Sequence, residues 1–138
     1  MQKTMWPSAP IQLFYYGDEG IKLEGIIQIK TYPGPPNYEN IATGDIPESC
    51  PYLFLQQPFD VEPTALDLAA GNSDDPEFKI DSVQLIIHYQ SPSWKKNREY
   101  ITAGGHVRLS GSLFHAFTGH HHTKVLLDVK NIERTDRR

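Results

Sequence analysis

Two segments carry residue types that could do chemistry: the run His120, His121, His122 between Thr118-Gly119 and Thr123, and Pro33-Gly34-Pro35-Pro36-Asn37-Tyr38-Glu39 leading to Gly44-Asp45. A neutral imidazole ligates transition metals and both donates and accepts hydrogen bonds. On an extended segment His120 and His122 share one side and His121 the other, so with Glu39, Asp45 or His115 they make a candidate zinc or copper site. Consecutive histidines lack the helical spacing of zinc-hydrolase motifs, and no cysteine lies near them in sequence. Two other roles therefore stand beside the metal: structural hydrogen bonding or stacking on Tyr38 and Phe117, and direct contact with a ligand or partner.

In the proline-rich segment, Asn37, Tyr38 and Glu39 follow a stiff Pro-Pro, which holds Tyr38 for recognition at small entropic cost; the alternative is that Tyr38 caps the end of the fold. Asp45 after Gly44 has the character of a turn residue whose carboxylate accepts from nearby N–H groups. The candidate ligand- or partner-binding set is thus Asn37, Tyr38, Glu39, Asp45, His120, His121, His122 and Thr123, with His120 and His122 as the metal candidates.

No catalytic residue is assigned. No serine sits in a nucleophile-elbow context, and Cys50 lies beside Pro51 without a local partner. Gly104-Gly105 ends a helix, whereas phosphate loops open one. His88, His106 and His115 stand singly on strands, as satisfied histidines do. Cys50 is the only cysteine, so an internal disulfide is excluded and a half-buried small residue is expected.

These segments need a scaffold. Ile11 to Tyr16 reads as a short strand followed by the turn Gly17-Asp18-Glu19-Gly20. From Ile21 the alternation places Ile21, Leu23, Gly25, Ile27 and Ile29 on one face, with Gly25 marking a bend. Pro33 to Pro51 is expected to be a long loop, since proline removes donors. Tyr52 to Val61 resumes strand character, Ala65 to Ala70 suggests a helical turn, and Val83 to Tyr89 is a strand with Val83, Leu85, Ile87 and Tyr89 inward. Trp94 to Ala103 is the best helix, capped by Ser91-Pro92-Ser93 and stopped by Gly104-Gly105. Val107 to Phe117 and Lys124 to Ile132 form a final hairpin. Ile21-Lys22-Leu23-Glu24-Gly25 and Val107-Arg108-Leu109-Ser110-Gly111 echo one another.

Five strands with a helix between the third and fourth, plus one extra N-terminal strand, predict an all-β OB-fold-like Greek-key barrel; a small β-sandwich is the competing architecture. In the OB arrangement loops 33–50 and 117–123 flank the binding face. The length of 138 residues suits one domain over 1–138, with 1–10 an exposed leader and 133–138 a frayed tail. Eleven prolines and ten glycines fit short strands and irregular loops. A net charge of -4 at pH 7 disfavours a general nucleic-acid binder. No apolar run approaches the ~18 residues of a membrane span, and the N-terminus lacks signal-peptide features.

Gly111-Ser112-Leu113-Phe114-His115-Ala116-Phe117-Thr118-Gly119-His120-His121-His122-Thr123, with the apolar strand Val125 to Val129 after it, resembles a bacterial family catalogued as domain of unknown function 4431. The Pro-Gly-Pro-Pro-Asn-Tyr-Glu segment and Gly44-Asp45 are similar to an upstream element of those proteins. The resemblance implies export in Gram-negative bacteria, hence a periplasmic or secreted location, and a binding role, since such domains sometimes lie near segments that look like lysozyme inhibitors. It transfers no catalytic residue. The missing signal peptide departs from the family and leaves a cytoplasmic location open. The functional expectation is a non-enzymatic binding or inhibitory domain, of immunity-protein type, engaging a protein such as a secreted toxin or cell-wall hydrolase. The alternatives are a metal-binding protein or metal-dependent hydrolase, and a single-stranded nucleic-acid module.

Overall fold

The computed structural model describes residues 11–71, 74–102, 104–117 and 122–135; the expected leader, the end of the tail, His120 and His121 lie outside them. The strands are β1 Gln12–Tyr15, β2 Ile21–Pro33, β3 Pro47–Glu62, β4 Glu77–Ile86, β5 His106–His115 and β6 Val125–Arg134, with helices α1 Ala65–Ala70 and α2 Pro92–Thr102. β2 pairs with β3 and β5, β6 joins β5 antiparallel and β4 parallel, and β3–β4 pairing closes the ring. β1 lies outside the ring, parallel to β3. A closed five-stranded barrel with a helix between its third and fourth strands is the OB-fold topology that the strand order predicts.

The alternating apolar residues fill the barrel: Leu53, Phe59, Val61, Val83, Val107, Leu109, Leu113, Val125 and Leu127 are buried, each contributing about 1.5–3 kcal/mol. α2 adds Ile101 to this core, with Trp94 and Tyr100 packed beside it. Its N-terminus is held by the Ser91 hydroxyl, which accepts the Trp94 N–H at 3.2 Å.

The sequence echo has a structural meaning. Its two segments pair with each other antiparallel, Ile21 opposite Gly111, Leu23 opposite Leu109 and Gly25 opposite Val107. Each glycine sits where its strand also meets the barrel's next strand. A Cβ on Gly25 would lie 2.0 Å from the Phe54 carbonyl oxygen, and one on Gly111 1.9 Å from that of Asp128. The repeated glycine is the corner at which a coiled strand passes between two neighbours.

Several boundaries differ from expectation. Pro33 to Pro51 is not all loop: β2 runs to Pro33 and β3 starts at Pro47, so the connecting loop is 34–46. The prolines are tolerated because β3 has only β2 beside it there, its pairing with β4 being confined to Tyr52 and beyond. Ile29, expected inward, is 50 % exposed because this two-stranded extension projects past the core. β4 starts earlier than Val83, its polar first half Glu77–Ser82 pairing across a bulge in β3. Tyr89 is exposed after the chain leaves the sheet, its ring set edge-on to Trp94 at 5.0 Å. Within the expected tail, Arg134 ends β6, donating to Asn97 Oδ1 at 2.9 Å with its guanidinium over Tyr100.

Candidate functional site

The loop 34–46 is organised by one carboxylate. Asp45 is buried, and its Oδ1 accepts the Asn37 N–H at 2.9 Å while Oδ2 accepts those of Glu39 and Asn40 at 2.8 Å each. Donation from Asn40, Glu39 and Asn37 holds this carboxyl below its usual range. The Asn40 side chain accepts the Ala42 N–H at 2.8 Å and caps a short 3-10 turn, Ile41–Thr43. At the neck, Gly34 N–H donates to the Ile46 carbonyl at 2.7 Å and Ile46 N–H to that of Pro35 at 2.8 Å. The Pro35–Pro36 peptide is cis, and Tyr38 has φ of 57°. The framework leaves Tyr38, Ile41 and Ile46 exposed, at 46 %, 40 % and 61 %.

The end of the 117–123 segment that can be described, His122 and Thr123, meets the base of this hairpin. The His122 ring stacks on Tyr32 with centroids 3.9 Å apart and planes at 8°. The His122 backbone N–H donates to Gln84 Oε1 at 2.7 Å. The Thr123 hydroxyl accepts the Gln84 N–H at 3.0 Å and donates to the Val125 carbonyl at 2.7 Å. Tyr52 donates its hydroxyl proton to the Tyr32 oxygen at 2.8 Å. Because Leu53 faces the core, alternation places Glu48, Cys50 and Tyr52 on the outer face of β3; Cys50 and Tyr52 are nonetheless buried, apart from the main core cluster.

The ligand atoms of Glu48, Cys50 and His122 all lie within 4.8 Å of one another. A cleft of about 350 Å³ borders Glu48 and Cys50 and is also lined by Gln84, Ile86 and Tyr89. Burial, then the Glu48 charge, pushes the Cys50 thiol up, which is the reverse of what a nucleophilic thiolate needs. Burial and the bond to Tyr32 likewise push the Tyr52 hydroxyl up.

Asn37, Tyr38, Glu39 and Asp45 are therefore together in one loop, and His122 and Thr123 stand at its base. Asp45 has its oxygens taken by its own loop, and the stacking partner of His122 is Tyr32. The other histidines among the described residues have partners: His88 Nε2 lies 2.6 Å from Asp128, His106 Nδ1 bonds Thr135, and His115 Nε2 lies 2.9 Å from Glu77. Sequence reasoning passed over Tyr32, Glu48, Cys50, Tyr52 and Gln84. The signal for three of them is the spacing 48, 50, 52, readable only once β3 is known to begin at Pro47.

The resemblance noted in the sequence holds over part of the chain: the family model of a domain of unknown function, DUF4431, matches residues 82–133. That stretch runs from the end of β4 through α2, β5 and β6, and includes Gln84, His122 and Thr123 but none of the 34–46 loop. No curated protein and no solved structure matches the chain.

Proposed function

We propose that this chain is a non-enzymatic binding module that engages a protein partner through the 34–46 loop and the adjoining His122–Thr123 segment. The observation that carries the reading is the Asp45 carboxylate with its three backbone N–H donors. It fixes a loop whose exposed side chains include Tyr38, Ile41 and Ile46. Apolar and aromatic groups held rigidly in water lose little freedom when a partner covers them. The similarity to a family of exported bacterial domains favours a partner in the cell envelope, such as a secreted toxin or cell-wall hydrolase, with inhibition or immunity as the outcome.

The nucleic-acid alternative has one feature in its favour, the Lys30 ammonium over the Tyr52 and Phe54 rings at 5.5 and 5.2 Å. Tyr52 is only 3 % exposed, so no base can stack on this ring of the pair.

Recovery of envelope proteins by immobilised wild type and by a Tyr38→Ala, Ile46→Asp variant tests the proposal. A partner retained by wild type and depleted on the order of tenfold by the variant supports it. Equal recovery of every partner overturns the assignment to this loop.

A further inference from the structure

We propose that Glu48, Cys50 and His122 form a zinc-class metal site on the outer face of the barrel. The inference is independent of the protein-binding reading. Positions two apart on a strand project from the same face, so β3 delivers the Glu48 carboxylate and the Cys50 thiol side by side. His122 comes from 72 positions further on than Cys50, and its placement rests on contacts that neither of those residues makes: the Tyr32 stack sets the ring plane, and Gln84 anchors the backbone. Three potential donors thus lie within 4.8 Å of one another. Tetrahedral zinc, with bonds of about 2.0–2.3 Å, wants donors about 3.3–3.8 Å apart, so the three side chains need to close by at most about 1.0–1.5 Å.

The donor set selects the metal. Thiolate, imidazole and carboxylate together suit zinc and its transition-metal neighbours, whereas magnesium and calcium take all-oxygen shells. On binding, the S–H bond of Cys50 breaks, the sulfur pair forms the bond to the dication, and one proton leaves to solvent. Three protein donors leave a fourth position for water or a donor from an incoming ligand, and a cleft lined by Glu48 and Cys50 opens beside it. The site is distinct from a tri-histidine chelate because it needs Cys50 and Glu48, and its donors among the described residues take only His122 from the histidine run.

The test uses the untagged, reduced full chain, titrated with zinc against a chromogenic chelator and with cobalt by absorption. One equivalent of metal is expected, together with a sulfur-to-cobalt charge-transfer band. Cys50→Ser and His122→Ala should each weaken zinc binding by about 100-fold or more, and Tyr32→Leu by about tenfold through loss of ring orientation. A His120→Ala, His121→Ala double variant should bind within about threefold of wild type, well under the tenfold that 1.4 kcal/mol represents. The proposal is overturned if wild type binds no tighter than a peptide of residues 117–124, if the double variant abolishes binding, or if folded Cys50→Ser keeps wild-type affinity. Should Cys50→Ser not fold, the wild-type cobalt spectrum decides, and absence of the sulfur band overturns the proposal.

Discussion

Loop 34–46, at the tip of the β2–β3 extension, and the His122–Thr123 segment, at its base, are held by different means. Loop 34–46 carries its own framework: Asp45 bonds to Asn37, Glu39 and Asn40, all within eight positions of it. His122 and Thr123 depend on Gln84, 38 and 39 positions away, and on Tyr32, which lies on β2. The first conformation is written locally and should survive damage elsewhere. The second exists only while the barrel holds Gln84 and Tyr32 in place. A recognition surface that combines them has one part rigid by itself and another that reports on the state of the fold.

The sharpest break of this contrast is Asp45→Ala. It strands three N–H donors at once in a loop that carries most of the exposed apolar groups of the site. Amide exchange in 34–46 should rise to that of an open loop while 122–125 and the barrel strands keep their protection. Loss of protection at His122 as well would show that the two segments are one unit. Acidification should imitate the mutation. The Asp45 carboxyl is held below its usual range in the fold, so its contribution is present above the unfolded value and disappears as pH falls through the lowered one.

Gln84→Leu is the reciprocal experiment. It removes the acceptor of the His122 N–H from a buried position, at a cost of about 1–3 kcal/mol. Exchange and chemical shifts should change at 122–124 and leave 34–46 untouched. A smaller effect, about 1 kcal/mol, is expected of Tyr32→Phe, which keeps the ring under His122 and deprives the buried Tyr52 hydroxyl of its acceptor. Urea midpoints measure both, and a Tyr32→Phe loss as large as that of Gln84→Leu would mean that the hydroxyl pair supports the segment as much as its backbone anchor does.

The same contrast explains what the sequence could reveal. The OB order was legible because the alternation in Ile21 to Ile27, Leu53 to Val61 and Val107 to Leu113 is set by burial on one face, a local periodicity. Asp45 as a turn carboxylate was legible for the same reason, since its partners are its neighbours. The Gly25 bend was visible as a break in pattern, but that its echo at Gly111 pairs back onto it needs the closed barrel. The cluster of Tyr32, Glu48, Cys50 and His122 was hidden, because proline suggested a loop where β3 had in fact begun, unopposed on one side. No periodicity announces a residue pinned by a glutamine 38 positions earlier. The contacts of His120 and His121 fall outside the described residues, so for the histidine run only its last member can be placed.

The smallest effect concerns the other boundary of the second segment. His115 ends β5, with Nδ1 3.0 Å from the Ala116 carbonyl and Nε2 2.9 Å from Glu77. Burial lowers its pKa, but the Ala116 carbonyl and Glu77 outweigh that and raise it above the ordinary histidine value. Both ring nitrogens face oxygens that only accept, so the doubly protonated ring is the form that satisfies them. Lys124 also reaches Glu77, at 3.8 Å, Asp74 adds negative potential, and the Tyr16 ring lies edge-on at 6.3 Å. A raised folded pKa gives stability that is complete below the unfolded value and is lost as pH rises through the folded one. Urea midpoints of wild type should therefore fall from mildly acid to mildly alkaline pH by no more than about 1 kcal/mol relative to His115→Gln, since the pair is only partly buried. Equal slopes for the two proteins would show that the imidazolium adds nothing. A steeper fall confined to exchange at 122–125 would show that the histidine at the start of the segment helps to hold its far end.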